Sequence, residues 1–149
     1  MKNYLLIAMT ILFISCTDRN DDYRNYNFKI ENISGNDIVI TSYDSQDNSV
    51  IKRTITISNN SFFSESYSSR LSDRGYLFED VFKGDSIIIS YNNNERKEIF
   101  TCIDKFNSAV GCDENRNILS YYNSTSTDNN INTTYTFDTN DYDNANDWE

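Results

Sequence analysis

Three cysteines and four closely spaced aspartates are the side chains of this sequence whose type and spacing could support chemistry. Histidine does not occur in the chain. That excludes Ser-His-Asp and Cys-His catalysis, histidine metal sites and an imidazole pH switch. What remains is thiol chemistry, carboxylate chemistry and noncovalent binding, offered by Cys16, Cys102, Cys112, Asp138, Asp141, Asp143 and Asp147.

The aspartates near the C-terminus supply hard oxygen ligands of the kind that Ca²⁺ prefers. An EF-hand loop also needs a glycine at its sixth position and a glutamate at its twelfth, and neither is in register here. The alternative is a solvated acidic terminus with a helical turn over residues 139–143, which Thr139 would cap. Two carboxylates could also serve a glycan hydrolase, but 23 Asp and Glu residues give no basis for choosing a pair. We predict no metal, no cofactor and no catalytic residues.

The balance of charge limits the class of partner. The chain has 13 Lys and Arg residues against 23 Asp and Glu residues, which gives a net charge of -10. Phosphate backbones are bound through cationic side chains, so a chain this acidic repels nucleic acid. We predict no nucleic-acid partner.

The first sixteen residues have the pattern of a secretory signal. Lys2 precedes an almost unbroken apolar run over residues 4–14, which ends at Ser15 and Cys16 before a polar segment. A transmembrane helix needs about 20 apolar residues, and this run is much shorter. We therefore predict that residues 1–15 are a signal peptide and not a lasting anchor.

The sequence Leu12-Phe13-Ile14-Ser15-Cys16 resembles a bacterial lipobox, at which signal peptidase II cuts before a lipidated cysteine. The alternative is an ordinary signal peptide in which Cys16 occurs by chance. With the segments 26–32, 85–89 and 135–145, this ending makes the chain similar to small secreted lipoproteins of Bacteroidota. The resemblance implies acylation of Cys16, a flexible tether over residues 16–25, and a place on the outer membrane, facing the cell surface or the periplasm. It implies no activity.

The other two cysteines suit an oxidising compartment. Cys102 and Cys112 lie close together in the sequence, and a disulfide between them is the natural assignment for a secreted chain. Closing so short a loop stabilises a fold by roughly 2.8 kcal/mol in the chain-entropy model. A metal site or a redox pair is the alternative, although two thiols do not complete a metal site and redox pairs normally have C-x-x-C spacing.

Alternating apolar and polar residues predict strands over residues 26–31, 38–43, 51–57, 62–67, 85–91, 96–103 and 133–137. The first two are expected to pair as a hairpin, and Asn92-Asn93-Asn94 is expected to form a turn between two later strands. Residues 118–122 fit either a helix or a strand, and residues 123–132 are expected to be a polar loop. Phe28, Phe100 and Phe137 are assigned to the core, and Tyr76, Tyr121 and Tyr122 are candidates for exposure.

Many short strands with almost no helical periodicity predict an all-β fold. We expect an antiparallel β-sandwich of about seven strands, with immunoglobulin-like or related topology and a short C-terminal helical turn. A small open barrel is the alternative. Residues 26–149 would form this single domain, with a polar C-terminal end.

The leading functional hypothesis is a lipid-anchored, non-catalytic envelope module that binds a protein or a glycan or serves envelope structure. The alternative is a secreted inhibitor or immunity-type protein whose acidic surface covers a basic target. A hydrolase that uses carboxylates alone is the third candidate.

Overall fold

The computed structural model describes residues 23–44, 47–102, 116–120 and 124–148. Cys16, Cys112, Tyr121, Tyr122 and the predicted signal peptide lie outside these residues. Within them, the elements in chain order are β1 (Tyr23–Asn32), β2 (Ile38–Asp44), β3 (Asp47–Ile57), β4 (Ser61–Arg70), α1 (Phe78–Phe82), β5 (Ser86–Tyr91), β6 (Arg96–Thr101), a 3-10 turn (Ile118–Ser120), β7 (Ser124–Thr127), β8 (Asn130–Phe137), α2 (Thr139–Asn144) and β9 (Asn146–Asp147).

The described strands form two sheets around one hydrophobic core, which confirms the all-β sandwich. The four-stranded sheet has the order β4-β1-β8-β7, and the five-stranded sheet has the order β3-β2-β5-β6-β9. Among these strands all pairings are antiparallel except that of β1 with β8, which is parallel. The order differs from that of an immunoglobulin domain, in which the first two strands share a sheet.

The predicted hairpin between the first two strands is wrong, because the chain crosses to the other sheet after β1. The buried side chain of Asn32 holds this crossing in place. Its amide donates to the carbonyl oxygens of Asn36 and Ile57 at 2.7 and 3.0 Å. Its Oδ1 accepts from the Ser34 hydroxyl at 2.7 Å. The crossing places β2 in the five-stranded sheet, and β1 pairs with β4 and β8 instead.

Two predicted irregular segments also prove to contain strand. The expected tether over residues 16–25 overlaps β1, which begins at Tyr23 because its antiparallel pairing with β4 continues to Arg70. The expected polar loop over residues 123–132 is wrong, since β7 and β8 form a hairpin there. Every residue of β7 is exposed, so no apolar alternation marks it in the sequence, and tertiary pairing decides its structure.

Other local predictions are confirmed. Strands β5 and β6 pair as a hairpin, and the turn residues Asn92, Asn93 and Asn94 all have positive φ, between 46° and 72°. The C-terminal helical turn is α2, and residues 118–120 take the helical alternative as a 3-10 turn. No helix in the described part of the chain is long and apolar enough to cross a bilayer.

The core lies between the inward faces of the two sheets. Phe28, Phe100 and Phe137 are buried as predicted, and α1 adds Phe78 and Phe82. The alternation over residues 51–57 predicts Ile51 on the apolar face of its strand. Its side chain is instead 58% exposed. The pairing of β2 with β3 shifts register between Ser42 and Asp44, and this irregularity interrupts the inward alternation at that end of β3.

Candidate functional site

The structure does not test the predicted thiol chemistry. Cys102 follows β6 directly, and its side chain is buried. Cys16 and Cys112 lie outside the described residues, so acylation and the disulfide between Cys102 and Cys112 stay predictions.

The acidic C-terminal segment serves the fold. The Asp138 carboxylate caps α2 by accepting from the backbone N–H groups of Asn140 and Asp141. Asp141 accepts from the backbone N–H of Asp138 at 2.8 Å and forms an ion pair with Arg116. Asp147 lies 3.9 Å from Arg96, and Asp143 is exposed. The described residues do not bring three potential ligands together for a metal, so the capping interpretation holds and Ca²⁺ has no assembled site among them.

A half-buried carboxyl that the sequence did not single out lies beside this segment. Glu98 is on the inward-facing side of β6, and the hydroxyl of buried Tyr91 donates to its Oε2 at 2.6 Å. Burial is the largest effect on the pKa of Glu98 and raises it. The hydrogen bond from Tyr91 lowers this pKa, the negative charge of Asp141 raises it, and the positive charge of Arg116 lowers it. In the sequence, Glu98 lies two residues before Phe100 and therefore on the same side of the strand. This spacing by itself indicates only strand periodicity.

Replacing Glu98 with glutamine is expected to change how stability depends on pH. The folded protein holds the Glu98 proton more tightly than the unfolded chain, so this group stabilises the fold at low pH. That contribution is lost as the pH rises through the raised pKa. Glutamine keeps an oxygen for the Tyr91 hydroxyl without the charge.

Urea unfolding of both proteins from about pH 4 to about pH 8 measures the effect. E98Q should be the more stable protein at neutral pH, and the difference should shrink towards the acid end. A difference that is constant across this range would show that Glu98 does not titrate in this environment.

A charged cleft of about 310 Å³ lies beside α1. Carboxylates and lysines line it together, and they include Lys52 at 3.7 Å from Asp44. Asp80 in the same lining forms an ion pair with Arg74. These pairs compensate only part of the acidic charge of the cleft, whose lining is mixed rather than uniformly acidic.

The outer surface of the four-stranded sheet has a distinct and regular composition. Alternate residues of β1 and β8 point into the core, and the residues between them point outward. Most of the outward residues are small amides and hydroxyls. We call this surface the polar face, made of Ser64, Ser66, Ser68 and Arg70 of β4, Asn25, Asn27, Lys29 and Glu31 of β1, Asn130, Asn132, Thr134 and Thr136 of β8, and Thr125 and Thr127 of β7.

Hydrogen bonds join the side chains of the polar face across the strands. The parallel pairing of β1 with β8 sets Asn25 beside Asn130 and Asn27 beside Asn132, and their side chains bond at 3.2 and 2.9 Å. The Ser66 hydroxyl donates to Asn27 Oδ1 at 2.8 Å, so one row is linked over three strands. The amides are therefore held in fixed orientations.

Two of the three charges of the polar face, Lys29 and Glu31, cancel locally, and the third, Arg70, lies opposite Tyr23 at the end of the face. Lys29 Nζ lies 2.6 Å from Glu31 Oε1, and Thr136 donates to the other carboxylate oxygen of Glu31 at 3.2 Å. Hydrogen bonding to Lys29 is the largest influence on the pKa of Glu31, which is lowered. The carboxylate and the ammonium group thus neutralise each other on a protein that is otherwise strongly acidic.

Aromatic side chains stand at the two ends of the polar face. Phe62, the cross-strand partner of Glu31, is 59% exposed, and Tyr23 at the start of β1 is 49% exposed. Lys29 Nζ lies 4.7 Å from the centroid of the Phe62 ring. The candidate Tyr76, by contrast, is half-buried and stacks on Tyr67 with the ring centroids 4.6 Å apart.

The polar face was not predicted from the sequence. In the sequence, asparagines two positions apart occur in β1 and again in β8, but the polar composition around the second pair predicts a loop. Comparison with protein-family models, with curated proteins and with solved structures found no match to this chain.

Proposed function

We propose that this protein is a non-catalytic binding module of the cell envelope, held to the outer membrane by lipid on Cys16. The observation that carries the proposal is the polar face, an ordered surface rich in amides and hydroxyls on a chain with a net charge of -10. A side-chain array held by its own hydrogen bonds loses little freedom when a ligand binds, which favours recognition. In the proposed location Cys102 and Cys112 are expected to form their disulfide.

Because β1 begins at Tyr23, the proposed lipid and the domain would lie close together. Only residues 17–22 separate Cys16 from Tyr23. The seven Cα–Cα steps from Cys16 to Tyr23 span at most about 25 Å when fully extended. The sandwich would therefore stay close to the membrane surface, with the Tyr23 end of the polar face nearest the lipid.

Labelling with palmitate tests the anchor. Cells that express the chain and grow with radiolabelled palmitate should yield a labelled protein, because three acyl chains would be attached at Cys16. The Cys16→Ser variant should carry no label. The matched control Cys112→Ser should be labelled like the parent chain. Label that persists in Cys16→Ser, or that never enters the parent chain, would remove the proposed anchor.

The second candidate is a secreted inhibitor or immunity-type protein, which the net charge of -10 favours. Its target would be a basic protein, captured at a rate that falls steeply with added salt. The polar face has little role in that function, since its one carboxylate, Glu31, is paired with Lys29 and offers no acidic surface to a basic target. Capture of a basic protein that is insensitive to changes in the polar face would favour this candidate over the first.

A further inference from the structure

We infer that the polar face binds a neutral polysaccharide chain, laid across the sheet between Phe62 and Tyr23. The inference rests on the proposed function and names the class of ligand for its site. Three properties of the face support it, namely its functional groups, its charge and the position of its aromatic rings.

The functional groups match those of a sugar. A sugar hydroxyl both donates and accepts hydrogen bonds, and so do the amides and hydroxyls of the polar face. Asn27 uses one amide hydrogen on Asn132 and accepts one hydroxyl from Ser66. An asparagine side chain has two donor hydrogens and an oxygen with two lone pairs, so the linked row retains capacity for ligand hydroxyls.

The charge of the face selects for a neutral ligand. An anionic polymer would be repelled by the acidic protein. Of the two cations on the face, Lys29 is already paired with Glu31, and Arg70 lies only at the Tyr23 end. A cationic partner would be drawn to the unbalanced acidic surfaces instead. A polymer whose hydroxyls are its only polar groups avoids both conflicts.

The aromatic rings set the length of the ligand. On β1, Tyr23 lies eight positions before Glu31, the cross-strand partner of Phe62. This separation corresponds to about 26 Å along the strand. Exposed rings offer an apolar surface on which the C–H side of a sugar ring can stack. A ligand that reaches both rings must contain several sugar units, so polymers should bind and monosaccharides should not.

Native affinity electrophoresis of the full chain tests the inference. The protein is kept in a detergent without a sugar headgroup and run through gels containing amylopectin, mixed-linkage β-glucan or yeast mannan, with alginate as the acidic control. We expect at least one neutral polysaccharide to retard the protein in a concentration-dependent way. We expect alginate, and an excess of free glucose or mannose as competitor, to have no effect.

Matched variants locate the site. Phe62→Ala should weaken retardation about tenfold, the loss that corresponds to one aromatic contact. The control Ile99→Ala removes a side chain of equal exposure, 57% against 59%, from the outer face of the other sheet and should have no effect. The double variant Asn27→Ala/Asn132→Ala should also lose about tenfold, and Thr54→Ala on β3 is its control. Thermal unfolding of each variant confirms that the fold is retained, and Phe62 is exposed enough to be replaced without loss of folding.

The inference would be overturned if no neutral polysaccharide retarded the protein, or if alginate retarded it equally. It would also be overturned if Phe62→Ala and Ile99→Ala weakened the retardation by the same factor. The palmitate experiment separates these results from failure of the proposed anchor. A chain that is acylated at Cys16 but binds no neutral polysaccharide would keep the envelope location and lose this ligand class.

Discussion

Phe78→Ala is expected to lower the free energy of unfolding by about 3–5 kcal/mol, the usual cost of removing a buried aromatic ring. Phe78 is fully buried in α1, and its ring lies 5.0 Å from that of Phe28 and 6.5 Å from that of Tyr135. Those two rings belong to β1 and β8, the central strands of the four-stranded sheet. A cavity at Phe78 would therefore weaken the support beneath the polar face.

Chemical denaturation at equilibrium measures this loss. The control is Phe62→Ala, which removes the same ring from an exposed position and should change stability by no more than about 0.5 kcal/mol. Because small domains have total stabilities of about 5–15 kcal/mol, the Phe78 variant should unfold at a clearly lower denaturant concentration. Equal effects of the two substitutions would mean that α1 does not pack into the core as described.

Asp141→Ala is expected to lower the free energy of unfolding by about 2–3 kcal/mol. Asp141 is almost fully buried, and its carboxylate binds Arg116 through Nε at 3.0 Å and through a second guanidinium nitrogen. Loss of one partner of a fully buried pair costs about 3–5 kcal/mol. We expect less here because the Arg116 side chain is half-exposed, so water can solvate the charge that remains.

The same carboxylate also closes the start of α2 by accepting from the backbone N–H of Asp138. Asp143→Ala is the matched control, since it removes an exposed aspartate from the same helix and should be nearly neutral. Denaturation of both variants at one pH and salt concentration separates the contribution of the buried Asp141 carboxylate from that of an exposed aspartate in the same helix. A cost for Asp143→Ala equal to that of Asp141→Ala would contradict the buried ion pair.

Local patterns in the sequence predicted much of the fold. The period-two alternation around Phe28 identified β1, and the three asparagines after Tyr91 identified the hairpin of β5 and β6. Both signals lie within a few residues of the structure that they predict. The helical turn at α2 was likewise predicted, but its N-cap is Asp138 and not Thr139, which is the first residue of the helix.

These local signals could not predict which strands pair when they are far apart in the sequence. The parallel contact of β1 with β8 joins residues such as Asn27 and Asn132, which are 105 positions apart. No local pattern records which strand becomes the neighbour of another. The exposed strand β7 gave no apolar alternation because it has no buried face, so its serines and threonines looked like a loop.

The candidate site was hidden for the same reason. Each strand contributes polar residues that look like an ordinary solvated surface by themselves, and only the pairing of β4, β1, β8 and β7 assembles them into one ordered face. The chemistry that the sequence did make visible, at Cys16, concerns the proposed anchor. The ligand class that we propose is argued from the four-stranded sheet instead.

The most direct test of the central claim follows individual asparagine side chains during ligand binding. The full chain, labelled with ¹⁵N at asparagine and held in a detergent without a sugar headgroup, is titrated with an oligosaccharide cut from a retarding polysaccharide. We predict shifts in the side-chain amide signals of Asn25, Asn27, Asn130 and Asn132, with Asn92, Asn93 and Asn94 unchanged. Unmoved signals on the polar face, with shifts elsewhere or none at all, would contradict the account.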